Sequence, residues 1–245
     1  MCRAAACALT NASPITNLDL FRCYFPQGDG GTIVNALRRN STLKTLRIEV
    51  GNRYDEDLSC VVASMLAVNT TLEGLTVNFP RYHEDDAWLE LIFRVLGRVN
   101  RSLLSLNVDG FPLADRRVGN ALREVLEENE VLEDLAVKCS GELREIDLLL
   151  WKDNLSFRRT NDSLRYLALS FLGRADQSQV TTLCINASAQ LEENDALNVL
   201  AIDSSSSMSA RNYISVLEAV RPASSVEAST LGLIWTRSFK RKDAV

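Results

Sequence analysis

Apolar and polar positions along this chain follow one rhythm. The stretch Asn40-Ser-Thr-Leu43-Lys-Thr-Leu46-Arg-Ile48 returns five more times, each time as Asn, two residues, Leu, two residues, Leu, one residue, then Leu, Ile or Val. The copies are led by Asn69 with Leu72, Leu75 and Val77, by Asn100 with Leu103, Leu106 and Val108, and by Asn129 with Leu132, Leu135 and Val137. Asn161 with Leu164, Leu167 and Leu169, and Asn194 with Leu197, Leu200 and Ile202, complete the set. A weaker copy precedes them at Ile15, Leu18 and Leu20, and a degraded one follows at Ala228, Leu231 and Leu233. From Ile15 onward the first apolar positions are separated by 28, 29, 31, 29, 32 and 33 residues. A period of this size marks stacked copies of one supersecondary unit.

Each unit reads as strand, loop, helix and turn. The closing alternation sends two apolar side chains to one face, which is the period of a short strand. Helical spacing follows, with apolar residues three or four apart forming one buried stripe. It runs through Leu58, Val61/Val62 and Met65/Leu66, then Trp88, Leu91/Ile92 and Val95/Leu96, then Val118, Leu122 and Val125/Leu126. Later stripes are Leu143, Ile146 and Leu149/Leu150, then Val180, Leu183/Cys184, Ala187 and Leu191, then Ile214 and Leu217. Acidic runs, Asp55-Glu56-Asp57 and Glu84-Asp85-Asp86, stand where helices should begin, and Arg38-Arg39 and Arg98 where they should end. That order suits the helix dipole. One unit cannot bury both its strand and its helix, so neighbours must stack with parallel strands on one face and helices on the other. Seven strands then span roughly 29 Å of sheet.

This recurring signature, with a helix in every unit, resembles leucine-rich repeats of the ribonuclease-inhibitor type. The resemblance covers about Ile15 to Leu233. It implies an α/β solenoid of about seven to eight repeats, a horseshoe with a concave parallel sheet and convex helices. It also implies protein binding, as a separate domain or within immune receptors, ubiquitin-ligase substrate receptors and Ran GTPase-activating proteins. One departure stands out. The family's polar ladder just past the strand is largely missing, because Cys23, Gly51, Pro80, Phe111, Ser140, Leu172 and Ser205 occupy those positions. A looser array with irregular loops is expected. Residues 1–14 read as a partial unit or cap, 15–235 as the repeat domain and 236–245 as a basic tail containing Arg237, Lys240, Arg241 and Lys242.

Strand alternation assigns a second set of residues to the face opposite the core. They are Asp19, Arg47, Thr76, Asn107, Ala136, Ala168 and Ala201, with Gly232 the candidate in the degraded copy, flanked by residues that include Phe21, Glu49, Asn78, Asp109, Lys138, Tyr166, Ser170 and Asp203. The first half is polar and the second nearly flat. A partner lying over the alanines would have Arg47, Asp109 and Tyr166 as anchors. The bland alternative is a solvated sheet whose small residues relieve crowding on the inner curve.

Composition narrows the chemistry. Of 245 residues, 46% are apolar and 24% charged, which suits a folded chain. A net charge of −5 argues against nucleic-acid binding, where phosphate neutralisation needs a basic excess. No apolar run is long enough to cross a bilayer, and Ala4 to Leu9 is too short and too weakly apolar for a secretory signal. Six scattered cysteines without a CxxC pair read as reduced, mostly buried thiols. The single histidine, His83, sits in a loop with no oriented nucleophile to serve, so neither catalysis nor a multi-histidine metal site is expected. Asn11, Asn40, Asn69, Asn100, Asn154, Asn161 and Asn186 each open an Asn-X-Ser/Thr triplet. Without a secretory signal these read as products of the repeat, with Asn favoured in a turn that needs left-handed backbone.

The expectation is therefore a non-catalytic protein–protein interaction module, cytoplasmic or nuclear rather than secreted. It needs no cofactor and binds another protein, neither nucleic acid nor membrane, through its concave face. The alternatives are a GTPase-activating regulator of the Ran activator type, or the substrate-recognition part of a larger receptor or ubiquitin ligase.

Overall fold

A computed structural model describes residues 6–7, 9–10, 14–21, 29–49, 56–78, 87–111, 116–139, 163–171 and 199–204. Seven strands run through them: β1 (Asn17–Leu20), β2 (Thr45–Glu49), β3 (Gly74–Asn78), β4 (Ser105–Phe111), β5 (Asp134–Cys139), β6 (Tyr166–Phe171) and β7 (Val199–Ser204). They form one sheet in chain order with every neighbouring pair parallel. Parallel neighbours need a long crossover, and the first four hold helices α1 (Asp29–Leu37), α2 (Glu56–Leu66), α3 (Ala87–Arg98) and α4 (Arg116–Glu128). This is an α/β, leucine-rich-repeat-like arrangement. The helical stripes expected from Leu143 onward and the degraded copy at Ala228–Leu233 lie outside the described residues, as do His83 and the basic tail.

Register places equivalent repeat positions side by side. Leu18, Leu46, Leu75, Leu106, Leu135, Leu167 and Leu200 form one row, and Leu20, Ile48, Val77, Val108, Val137, Leu169 and Ile202 the next. From β2 to β5 both rows are buried in one continuous core with Val34, Leu37, Val62, Leu66, Phe93, Leu96, Leu122 and Leu126 of the helices. The helices therefore cover the sheet face to which the leucines point. Leu18 and Leu20 of edge strand β1 are only partly buried against that core. Gly97 lets α3 approach α4 closely: a Cβ there would lie 3.1 Å from the Glu124 side chain and 3.4 Å from its backbone.

On α3 the expected Ile92 and Leu96 are buried, but Leu91 and Val95 beside them are less so, and the stripe is completed by Leu89 and Phe93. Leu89, Ile92, Phe93 and Leu96 are fully buried, while Leu91 is 40% exposed and Val95 only partly buried. Period alone admits two neighbouring phases when apolar residues are adjacent, and the large Phe93 ring decides between them by filling the interior. On α2 and α4 the expected residues Val62, Met65, Leu66, Val118, Leu122, Val125 and Leu126 are buried. Cys7 and Cys60 form no disulfide, as expected of reduced thiols, but both are exposed rather than core residues.

Two hydrogen-bond columns tie each unit to the next. At the entry to the sheet, one carbonyl accepts two N–H groups from the following unit. Thr16 accepts from Lys44 and Thr45, Lys44 from Glu73 and Gly74, and Glu73 from Leu104 and Ser105. Leu104 accepts from Glu133 and Asp134, and Glu133 from Arg165 and Tyr166, all within 2.7–3.0 Å. Deeper in, Asn40, Asn69, Asn100 and Asn129 are the buried polar residues among the described ones.

Each of these asparagines uses both ends of its amide. Oδ1 of Asn69 accepts from the backbone N–H of Thr71 (2.9 Å) and Leu72 (2.8 Å), closing the turn into β3. Its Nδ2 donates back to the carbonyl of Leu37 (2.7 Å), the last residue of α1. Asn100 repeats this with Ser102, Leu103 and Leu66, and Asn129 with Val131, Leu132 and Leu96. Asn40 does so with Thr42, Leu43 and Leu9, one of the helical residues that precede β1. Helix C-termini leave carbonyls without partners, and burial makes that costly. The ladder satisfies them. The hydroxyl two residues later adds a rung, with Thr71 donating to the Asn40 carbonyl (3.1 Å) and Ser102 to that of Asn69 (3.2 Å).

At Asn40, Asn69 and Asn100 the Asn-X-Ser/Thr triplets supply a buried amide ladder together with its turn-closing bonds; Asn11, Asn154, Asn161 and Asn186 lie outside the described residues. At Asn40, Asn69 and Asn100 a glycan on Nδ2 would replace a donor that lies in the interior, so modification there is incompatible with this fold. A polar ladder thus exists, but at the opposite end of the strand from the positions where the family's is missing. Of those positions only Phe111 lies among the described residues, at the end of β4 beyond a register shift against β5.

Two outcomes follow for stability in urea, monitored by circular dichroism. Asn100→Ala should cost about 2 kcal/mol or more, because two N–H groups and a carbonyl lose their buried partner. Asn107→Ala on the open face should stay within about 0.5 kcal/mol. Phe93→Ala should cost about 3–5 kcal/mol, whereas Leu91→Ala should change stability by about 0.5 kcal/mol or less; the reverse order would restore the expected phase of α3.

Candidate binding face

The sheet face turned away from the leucines carries three rows. Its middle row is Asp19, Arg47, Thr76, Asn107, Ala136, Ala168 and Ala201, set partner to partner by the strand register. One flanking row runs Asn17, Thr45, Gly74, Ser105, Asp134, Tyr166 and Val199. The other runs Glu49, Asn78, Asp109, Lys138, Ser170 and Asp203. Asp19, Arg47 and Asn107 are exposed, and Thr76, Ala136 and Ala168 are partly so. By register Asp109 stands in one flanking row and Tyr166 in the other; Phe21 lies just past β1, and Gly232 lies outside the described residues.

Its charges are not free anchors. Arg47 pairs with Asp19 of the preceding strand at 3.5 Å and lies over the Phe21 ring, 4.1 Å from its centroid. Asp19 also accepts the Phe21 backbone N–H at 2.8 Å, which holds the carboxylate toward the guanidinium. Three units further on, Lys138 donates to Asp109 at 3.1 Å. At the margin of the sheet Lys44 pairs with Glu73 at 2.5 Å, and the Thr45 hydroxyl donates to Asn17. Opposite charges thus face one another across adjacent strands, where cross-strand side chains meet.

These pairs were missed by treating each strand residue as an independent anchor. Aligning the copies was enough to find them, since Asp19 and Arg47 hold the same column in consecutive units, as do Asp109 and Lys138. Both pairs are substantially solvated, so each is worth little and can exchange for a partner's charge at small cost. From Ala136 to Ala201 the middle row offers only methyl groups, bordered by Tyr166 and Val199 on one side and Lys138, Ser170 and Asp203 on the other.

Among the described residues no three His, Cys, Asp or Glu side chains converge as metal ligands would, and no helix is long and apolar enough to cross a membrane. No family model matches the chain, and no curated protein matches it. Among solved structures it is similar to "Leiomodin-1 Actin-Binding Site 2 (ABS2)", with 15% sequence identity and a TM-score of 0.44 over 77% of this chain and 88% of that one. A likeness of that degree assigns neither a partner nor an activity.

A double-mutant cycle on Asp19→Ala and Arg47→Ala should give a coupling of roughly 1 kcal/mol or less at low salt, and it should vanish as ionic strength rises. A larger, salt-resistant coupling would show the pair to be a fixed structural element rather than an exchangeable surface contact.

Proposed function

We propose that this chain is a non-catalytic protein-binding module of the leucine-rich-repeat class, its array curved as in the ribonuclease-inhibitor type and extending through about seven to eight units. It binds another protein through the open sheet face and needs no cofactor. One observation carries this reading: seven parallel strands, paired in chain order, bring Asp19, Arg47, Thr76, Asn107, Ala136, Ala168 and Ala201 into a single row on the face opposite the buried leucines. A face of this kind is a rigid platform whose composition varies while its backbone does not, since the interior rows alone hold the fold.

Two parts of the face have different work in a complex. The Asp19–Arg47 and Asp109–Lys138 pairs supply charges that orient a partner more than they hold it. The alanine end, with Tyr166 beside it, admits the closest approach, and an aromatic residue next to a shallow apolar trough is the usual composition of an energetic centre.

Ala168→Arg together with Ala201→Arg tests this directly. Both sit in the face row by strand register, so the variant should keep the fold, seen as an unchanged circular dichroism spectrum. Proteins captured by the wild-type chain from its own cells should be lost from the variant. Retention of the same set would place the binding surface elsewhere. Acceleration of GTP hydrolysis by Ran-type GTPases on adding the chain would replace the non-catalytic reading with the GTPase-activating one.

A further inference from the structure

The edge where each helix turns back into the sheet carries a second surface, distinct from the open face. Its positions are fixed by the asparagine ladder, because the residues just before and just after each buried Asn are brought to one side in consecutive units. Before the ladder residues stand Arg39, Val68, Val99 and Glu128; after them stand Ser41, Thr70, Arg101 and Glu130, and all eight are exposed. Arg38 adds a second cation at the first unit and lines one groove together with Arg39 and Val68. The edge is therefore basic at its β2 end, apolar in the middle and acidic at its β5 end. Unit spacing lies between the strand separation of about 4.8 Å and helix packing distances of 8–10 Å, so the four-unit row spans roughly 14–30 Å.

Three features of this row are unexplained by the fold. Val68 and Val99 are 49% and 53% exposed, at equivalent places in adjacent units. Arg38, Arg39, Glu128 and Glu130 form no ion pair among the described residues. The acids also violate the local rule, because Glu128 closes α4 at the negative end of the helix dipole, where a cation is favoured. In the middle of the row the cations are compensated. Arg98 pairs with Glu124, and Arg101 donates to the terminal α3 carbonyls of Leu96 (3.3 Å) and Gly97 (3.2 Å). Among the described residues of this row, uncompensated charge thus lies at the Asn40 and Asn129 units, with opposite signs.

We propose that this edge is a self-association surface, its occupant a second copy of this chain related by a two-fold axis passing between Val68 and Val99. A two-fold contact requires a patch that complements itself when reversed. Reversal of this row sets Val68 of one copy on Val99 of the other and brings Arg38 and Arg39 against Glu128 and Glu130 at both ends. An apolar centre with a charged rim is also the ordinary anatomy of an interface. The open sheet face stays free in this dimer, so its binding activity and the association are independent of one another.

Sedimentation velocity on the full chain over a concentration series tests the proposal. The wild type should move from monomer to dimer, with association weakening as salt is raised. Arg38→Glu with Arg39→Glu, or Glu128→Arg with Glu130→Arg, should each weaken it by about tenfold or more, since like charges then meet twice per dimer. Mixing these two variants should restore a heterodimer, because one copy is then acidic at both ends and the other basic. That rescue separates a lost interface from a lost fold. Val68→Asp with Val99→Asp should abolish association altogether. A wild type that stays monomeric, a mixture that fails to pair, or open-ended oligomers in place of a dimer would each overturn the proposal.

Discussion

An amide side chain can accept and donate at once, and the buried asparagines at positions 40, 69, 100 and 129 do both. Each accepts from the turn that opens its own strand and donates to the end of the preceding helix. The turn and the inter-unit contact are therefore one interaction. Neither a strand leucine nor a helix stripe specifies how far one unit sits from the next, since apolar contacts are non-directional. The amide does, because its two bonds have defined lengths and angles. Stacking, strand register and the level at which each helix ends all follow from that column.

A platform results on which exposed chemistry is decoupled from stability. The leucine rows and the ladder are used up in holding the array together, while the open face and the helix-end edge are constrained only in position. That separation supports the proposed binding role, with Asp19–Arg47 and Asp109–Lys138 paired laterally in shallow, solvated contacts. Lateral pairing also lowers the net field of the face, so recognition depends more on shape at the alanine end than on long-range attraction.

The same geometry places like positions of successive units in line on every surface, which makes gradients along the chain spatial gradients. On the open face the gradient runs from charged pairs to methyl groups. On the helix-end edge it runs from arginine through valine to glutamate. At the acidic end the local helix preference and the observed charge disagree, and such disagreements usually mark a surface shaped by something other than folding.

Much of this was legible before any coordinates. The six strong copies determined the strands, their order and which residues look outward, because side-chain alternation leaves no freedom once the apolar positions are known. Parallel pairing followed from the helix-length spacing between copies. Tertiary structure alone decided the phase of α3, where Leu91 and Ile92 are both apolar and only packing room for Phe93 selects the buried side. It also decided that Arg47 and Asp109 are paired rather than waiting, and that Asn69 is an interior strut as well as a turn residue. For the charges and the asparagine the deciding contact is with a residue about one repeat away. A periodic sequence states that like positions are equivalent, but not which atoms of neighbouring units touch.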